Sequence, residues 1–242
     1  MKITTNYFYK NIGFTLVEMA IVLVIVGLMV AAFLTPLSAQ IDQRRYAETE
    51  RAMAEIKEAI IGYALVHGHF PCPAKSSIDG TENRDLATCA GGVRVGGLPW
   101  SELGVPKLDG WGHQYRYSVT LAYADSVNKV SLSPMTPRDI TIQTRDNIGN
   151  IQNVSNINDI PVIIMSMGKN GVWGLADDGA QVADNSASNL DEDLNGNGNG
   201  RTFRNRTFTV NSAAPGGEID DIVTWISPSI YLNRMVTAGR LP

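Results

Sequence analysis

Three sets of side chains in this sequence carry chemistry beyond packing. The first is a single carboxylate, Glu18, near the start of GFTLVEMAIVLVIVGLMVAAFL, residues 13–34. An unpaired charge in a bilayer costs at least a few kcal/mol. Glu18 therefore needs a cationic partner, neutralisation, or a position from which it snorkels to the headgroups. The second set lies in DEDLNGNG, which places Asp191, Asp193, Asn195 and Gly196 at the first, third, fifth and sixth positions of an EF-hand-like calcium loop. Alternating oxygen ligands can wrap a hard cation, and glycine permits the sharp turn. The twelfth position holds Thr202 in place of a bidentate glutamate, so a further carboxylate has to come from elsewhere, with Asp220 and Asp221 of GGEIDDIVTW as candidates. The other reading is a solvated Asn/Asp/Gly loop. The third set is the two cysteines, Cys72 and Cys89. Their spacing suits one disulfide in an oxidising compartment, against the alternative of two buried thiols.

The remaining candidates are weaker. His67, His69 and Cys72 lack a fourth zinc ligand at a suitable spacing. His113 in GWGHQYRY has no nucleophile motif near it, and no phosphate-binding glycine loop with lysine is present. With three histidines, none in a recognised motif, a membrane-tethered enzyme has little to stand on. A net charge of -4 gives no basic footprint for nucleic acid.

The elements that position these residues follow from periodicity. Phe14 to Leu34 is apolar apart from Glu18, and at 1.5 Å per residue it matches roughly one hydrocarbon core if helical. A secretory signal peptide is the alternative, but its cleavage site would follow the apolar run, whereas Gly13 precedes it. Flanking charge does not orient the segment, since Lys2 and Lys10 before it are balanced by Arg44 and Arg45 after it. The next stretch is rich in helix formers, and Met53, Ile56, Ile60 and Tyr63 draw one apolar stripe with Glu55 and Glu58 on a more polar side. One long helix is expected to about Val66, kinked at Pro36, capped by Gly68 and stopped by Pro71. Beyond it, short apolar runs between Gly, Pro and Asp read as strands and turns, HQYRYSV and PVIIMSM being the best strands. DITIQT is a weaker strand, residues 176–201 read as a long polar loop, and GGEIDDIVTWIS and PSIYLNRMV read as a strand and a short helix or turn. The expected fold class is α+β: a long N-terminal helix, half of it transmembrane, on a small antiparallel sheet with long loops.

Taken as a unit, G-FTLVE followed by an apolar helix, with two lysines in the preceding leader, resembles the class III signal of type IV pilins and type II secretion pseudopilins. The resemblance implies that prepilin peptidase cuts between Gly13 and Phe14 and N-methylates Phe14. It implies a leader at 1–13, a transmembrane and filament-core helix at 14–35, an amphipathic continuation at 36–67 and an extracytoplasmic β-rich domain at 68–242. Glu18 would pair with the new Phe14 amine, within one subunit or between neighbours, where the pairing sets axial register. The implied partners are prepilin peptidase, other pilin or pseudopilin subunits, an inner-membrane assembly platform and the membrane itself. The implied location is the bacterial inner membrane, single-pass, with the C-terminal domain periplasmic or on a filament. SMGKNG and GGEIDDIVTW look similar to the C-terminal region of the major pseudopilin, where calcium orders a loop, although the insertion between them departs from that subunit. The function implied is a structural subunit of a type II secretion pseudopilus or type IV pilus. The alternative is a minor pilin whose C-terminal domain binds a surface, a substrate or DNA, the last disfavoured by an acidic chain.

Overall fold

A computed structural model describes residues 13–132, 135–184 and 186–241, with the side chains of 31–37 excepted. The chain divides into two compact units, Met1–Arg44 and Arg45–Pro242. Helix α1 runs Leu16–His67. Among the described residues no helix is both long and apolar enough to cross a membrane. The span expected over 14–35 takes in 31–35, whose side chains lie outside the described residues, as does the expected kink at Pro36. The leader also lies outside them, up to residue 12.

In the second unit α1 behaves as its stripe predicts. Met53, Ile56 and Ile60 are buried, joined by Ile61 and Ala64. Glu55 and Glu58 are exposed. Tyr63 is half-buried and spends its hydroxyl on Glu82 Oε1 at 2.9 Å. Gly68 takes a φ of +80° and donates its N–H to the Ala64 carbonyl at 2.8 Å, ending the helix in the left-handed cap that glycine adopts without strain.

Among the described residues seven strands follow: β1 Val95–Gly97, β2 Arg116–Val119, β3 Thr141–Arg145, β4 Ile151–Asn153, β5 Val162–Ser166, β6 Thr202–Arg204 and β7 Ile222–Ile226. They are accompanied by the α-helices α2 Trp100–Leu103, α3 Leu190–Asn197 and α4 Pro228–Thr237. One sheet has the order β1-β2-β5-β7 and is antiparallel throughout, as expected. A second sheet was not expected. Its order is β4-β3-β6, with β3 and β6 parallel and paired Ile142 to Phe203.

Period-two alternation on β5 explains the layering. Val162 and Ile164 join one core with Met53, Ile56, Ile60 and Tyr117, while Ile163 and Met165 join a second core with Ile142 and Phe203. Strand β5 is thus covered on both faces, which is why VIIMS is an uninterrupted buried run. A turn at 109–112 fastens to α1 because Gly110 lacks a side chain: a Cβ there would lie 2.5 Å from the Arg45 carbonyl oxygen. Thr49, fully buried, accepts the Gly110 N–H at 3.0 Å and donates to that same carbonyl at 2.9 Å.

Cys72 and Cys89 form a disulfide with a Cα–Cα distance of 5.3 Å. Cys72 therefore offers no thiolate to His67 and His69. The bridged loop is also held by Glu82, which accepts the Cys72 N–H at 2.9 Å and Arg84 Nε at 3.0 Å. Replacing both cysteines with serine is expected to lower the unfolding free energy by about 3 kcal/mol, the value for closing a loop of this order. Urea denaturation of the full chain reads the change, and a loss below about 1 kcal/mol would assign the stability to the Glu82 contacts instead.

Candidate functional site

At the N-terminus, Thr15 and Glu18 form a reciprocal pair. Thr15 N–H donates to Glu18 Oε2 at 3.2 Å, and Glu18 N–H donates to Thr15 Oγ1 at 3.2 Å. Thr15 precedes the first helical residue and Glu18 is the third within the helix, so the two satisfy otherwise orphaned donors as a capping box. The carboxylate at the head of the apolar run thus has a local partner, and the four letters TLVE were a readable signal for it. Phe14, next to Gly13, is 76% exposed. Along the same helix Leu16, Val17, Leu23 and Leu28 stand at 91%, 68%, 70% and 67% exposure, a surface no single copy covers.

The acidic stretch does not fold as the expected loop. Residues Leu190–Asn197 are helix α3, because Asp191, Glu192 and Asp193 sit in its first turn, where the helix dipole favours anions. A helix sends Asp191 and Asp193 to different partners. Asp191 turns into three guanidiniums: Arg145 Nη2 at 2.8 Å, Arg204 Nε at 2.9 Å and Arg206 Nε at 3.3 Å. Asp193 accepts Trp173 Nε1 at 2.8 Å. Asn195 exchanges hydrogen bonds with the Arg204 backbone, and its Nδ2 donates to Asp221 Oδ2 at 2.8 Å.

A different carboxylate completes the acidic group. Glu192, Asp220 and Asp221 bring ligand oxygens within 4.8 Å of one another. Glu192 is fully buried and is oriented by Asn170 Nδ2, Asn189 Nδ2 and the Asp220 N–H, at 3.0, 3.2 and 3.0 Å. Asp220 Oδ2 accepts the Asn170 N–H at 2.8 Å. The loop can close on Asp220 because Gly168 has no side chain and a φ of +63°: a Cβ there would lie 2.3 Å from Asp220 Oδ1. Oδ1 of Asp220 and Oδ1 of Asp221 are buried with no hydrogen-bond partner.

Burial pushes all three carboxyls up. Asp220 reaches about 7, with the Glu192 charge adding to the burial effect, and Asp221 lies well above the carboxylate range. Glu192 is raised less, since Asn189 and Asn170 hydrogen-bond its charged form. An all-oxygen donor set with two orphaned carboxylate oxygens fits a hard divalent cation. Of the residues singled out in the sequence, Asp220 and Asp221 are brought together and Asn195 supports them. Asp191 and Asp193 are directed elsewhere. Glu192, the second position of the EF-hand-like pattern, is a spacer there and a member of the acidic group in the fold. The readable sign was Asn189 three residues before Glu192, at the head of an acidic first turn. His113 bonds the Gly168 carbonyl through Nδ1 at 3.1 Å, a structural contact.

Residues 9–34 match the family model of the prokaryotic N-terminal methylation motif. The chain carries the type IV pilin and pseudopilin signature. No curated protein and no solved structure matches the chain. The matched residues include Gly13, Phe14 and Glu18, and the signature points to a structural subunit that is processed by prepilin peptidase and assembles with other pilin-type subunits. The matched residues end before the second unit begins, so the acidic group and the disulfide belong to a part of the chain that the signature does not describe.

Proposed function

We propose that this chain is a structural subunit of a type II secretion pseudopilus or a type IV pilus. It is cut between Gly13 and Phe14, anchored in the inner membrane by the apolar start of α1, and built into a filament through that helix. The observation that carries the reading is the methylation motif at 9–34 heading a helix whose apolar side chains are exposed. Lipid covers those side chains before assembly, and neighbouring copies of the helix cover them afterwards. Glu18 then has two successive roles. Before processing it caps the helix with Thr15. After processing it pairs with a Phe14 amine, its own or that of a neighbour.

Two substitutions separate these roles. Glutamine keeps the capping-box acceptor and removes the charge, while alanine removes both. Expressed with prepilin peptidase and an assembly platform, Glu18→Gln and Glu18→Ala are both expected to be cleaved and retained in the membrane. Both are also expected to drop out of sheared filaments at least tenfold. Filament incorporation of Glu18→Gln at the wild-type level would leave capping as the whole function of the residue.

In the second unit, Glu192, Asp220 and Asp221 hold calcium in this reading. The support is their oxygen-only chemistry and the two unpartnered oxygens. A cation there would join α3 to the segment entering β7 and to the 168–171 turn, stiffening the face built from these loops.

A further inference from the structure

A cavity of about 190 Å³ lies between β1, β2 and the 173–181 loop, lined by Gly97, Gln114, Arg116, Met167, Trp173 and Gln181. Its one charge is Arg116. Burial lowers the affinity of this guanidinium for its proton, yet among the described residues Arg116 makes no ion pair, and its Nε is buried without a hydrogen-bond partner. By contrast Arg84, Arg94 and Arg138 each end on a carboxylate, at 3.0, 2.5 and 2.6 Å. The carboxylate whose charge reaches Arg116 is Asp221, but Asp221 Oδ2 is engaged by Asn195. A cation left without a bonded counter-charge in a cavity leaves part of its desolvation cost unmet, and an anion seated on it removes that cost.

The walls are rigid and suited to an apolar group beside the charge. Trp173 has a φ of +63°, a strained backbone for an aromatic residue. It is held by its N–H on the Val182 carbonyl at 3.1 Å and by its indole on Asp193. The loop is tied down at two further points. Gln114 N–H donates to the Leu175 carbonyl at 2.7 Å, and Gln114 Nε2 to the Ala176 carbonyl at 2.8 Å. Gly96 and Gly97 of strand β1 complete the lining. The volume is below the ~300–1,000 Å³ of sites for drug-sized ligands. It admits a small molecule or one terminal residue.

We propose that this cavity is a binding site for a monocarboxylate with a small apolar substituent, with the carboxylate on Arg116 and the substituent against Trp173 and Met167. A planar carboxylate matches the guanidinium fork. Phosphate does not suit the site, because it is tetrahedral and carries no apolar substituent for Trp173 and Met167. The same chemistry is offered by a free small acid and by the C-terminal residue of a peptide. The site does not depend on filament assembly, so its failure would leave the pilin-type reading untouched.

Calorimetric titration of the full chain in detergent micelles tests the assignment, with N-acetyl-leucine, acetate, N-acetyl-leucinamide and inorganic phosphate as probes. N-acetyl-leucine is expected to bind saturably, and the amide, which lacks the carboxylate, at least tenfold more weakly. Acetate binding within threefold of N-acetyl-leucine indicates a free small acid as the ligand, and a wider gap indicates a peptide terminus. Arg116→Gln is expected to weaken N-acetyl-leucine at least tenfold. If that variant does not fold, Gln181→Trp decides the matter, since Gln181 is exposed, its side chain makes one long hydrogen bond, to the Trp173 carbonyl at 3.3 Å, and the larger ring fills the cavity mouth. No saturable carboxylate binding to the wild type, tighter binding of phosphate, or unchanged affinity in Gln181→Trp would overturn the proposal.

Discussion

Replacing Asp191 with alanine is expected to cost the Arg45–Pro242 unit about 3–5 kcal/mol, enough to unfold most domains of marginal stability. The side chain of Asp191 is 1% exposed and is the common counter-charge of Arg145, Arg204 and Arg206. These arginines come from β3, β6 and the segment after β6, so one carboxylate joins both strands of the parallel pair to α3. Removing it leaves three guanidiniums facing one another in a poorly hydrated space. Burial lowers the proton affinity of Arg206, Asp191 opposes that, and Arg145 and Arg204 add to it, so Asp191 is what offsets the like charges. Arg206 is further committed to the carbonyls of Pro215 and Gly217, so the loop returning toward Asp220 would loosen as well. Asp191→Asn preserves shape but not charge, and is expected to fall between wild type and alanine. Urea midpoints of the full chain, followed by tryptophan fluorescence, measure the series. A cost below about 1 kcal/mol for alanine would show that the arginines are hydrated or paired elsewhere.

Removal of divalent cations is expected to have the second largest effect. A cation at one hundred times its dissociation constant adds about 2.7 kcal/mol to the folded state, and a chelator takes that away. The effect depends on pH with a definite sign. Without a cation Asp220 holds its proton in the folded state up to about 7, whereas its ordinary value is 3.8. Between those limits the folded state binds more protons than the unfolded one, so stability rises as pH falls through 7 towards 4. Cation and proton compete for the same oxygens. The calcium-induced rise in melting temperature is therefore expected to be large at pH 8 and small at pH 5. Asp221→Asn is expected to reduce it at both. Equal calcium shifts at the two pH values would point to a cation bound elsewhere.

The N-terminal motif and the α1 stripe were legible because both are local. Gly13, Phe14, Thr15 and Glu18 lie within one and a half turns, and Met53, Ile56 and Ile60 repeat at helical spacing. Strands β2, β5 and β7 were legible for the same reason, as bounded apolar runs. The second sheet was not. Strands β4 and β6 are three residues each, and β6 exists as a strand only through its parallel pairing with β3, far away in sequence. A segment that short carries no periodicity of its own.

The candidate cation site shows the same division. Alternation in DEDLNGNG, taken alone, fits a ligand loop as well as a helix, and the carboxylates could be counted without knowing which way each would turn. The methylation motif, the helix that follows it, two cysteines spaced for a bridge and an acid-rich C-terminal segment are all legible in the order of residues alone. Folding alone turns Asp191 to the arginines, joins Glu192 to Asp220 and Asp221, and sets Arg116 in a cavity with no bonded partner among the described residues. The physical reason is that a charged side chain's role is set by its nearest opposite charge and its access to water. In this chain those neighbours come from strands and helices remote in sequence.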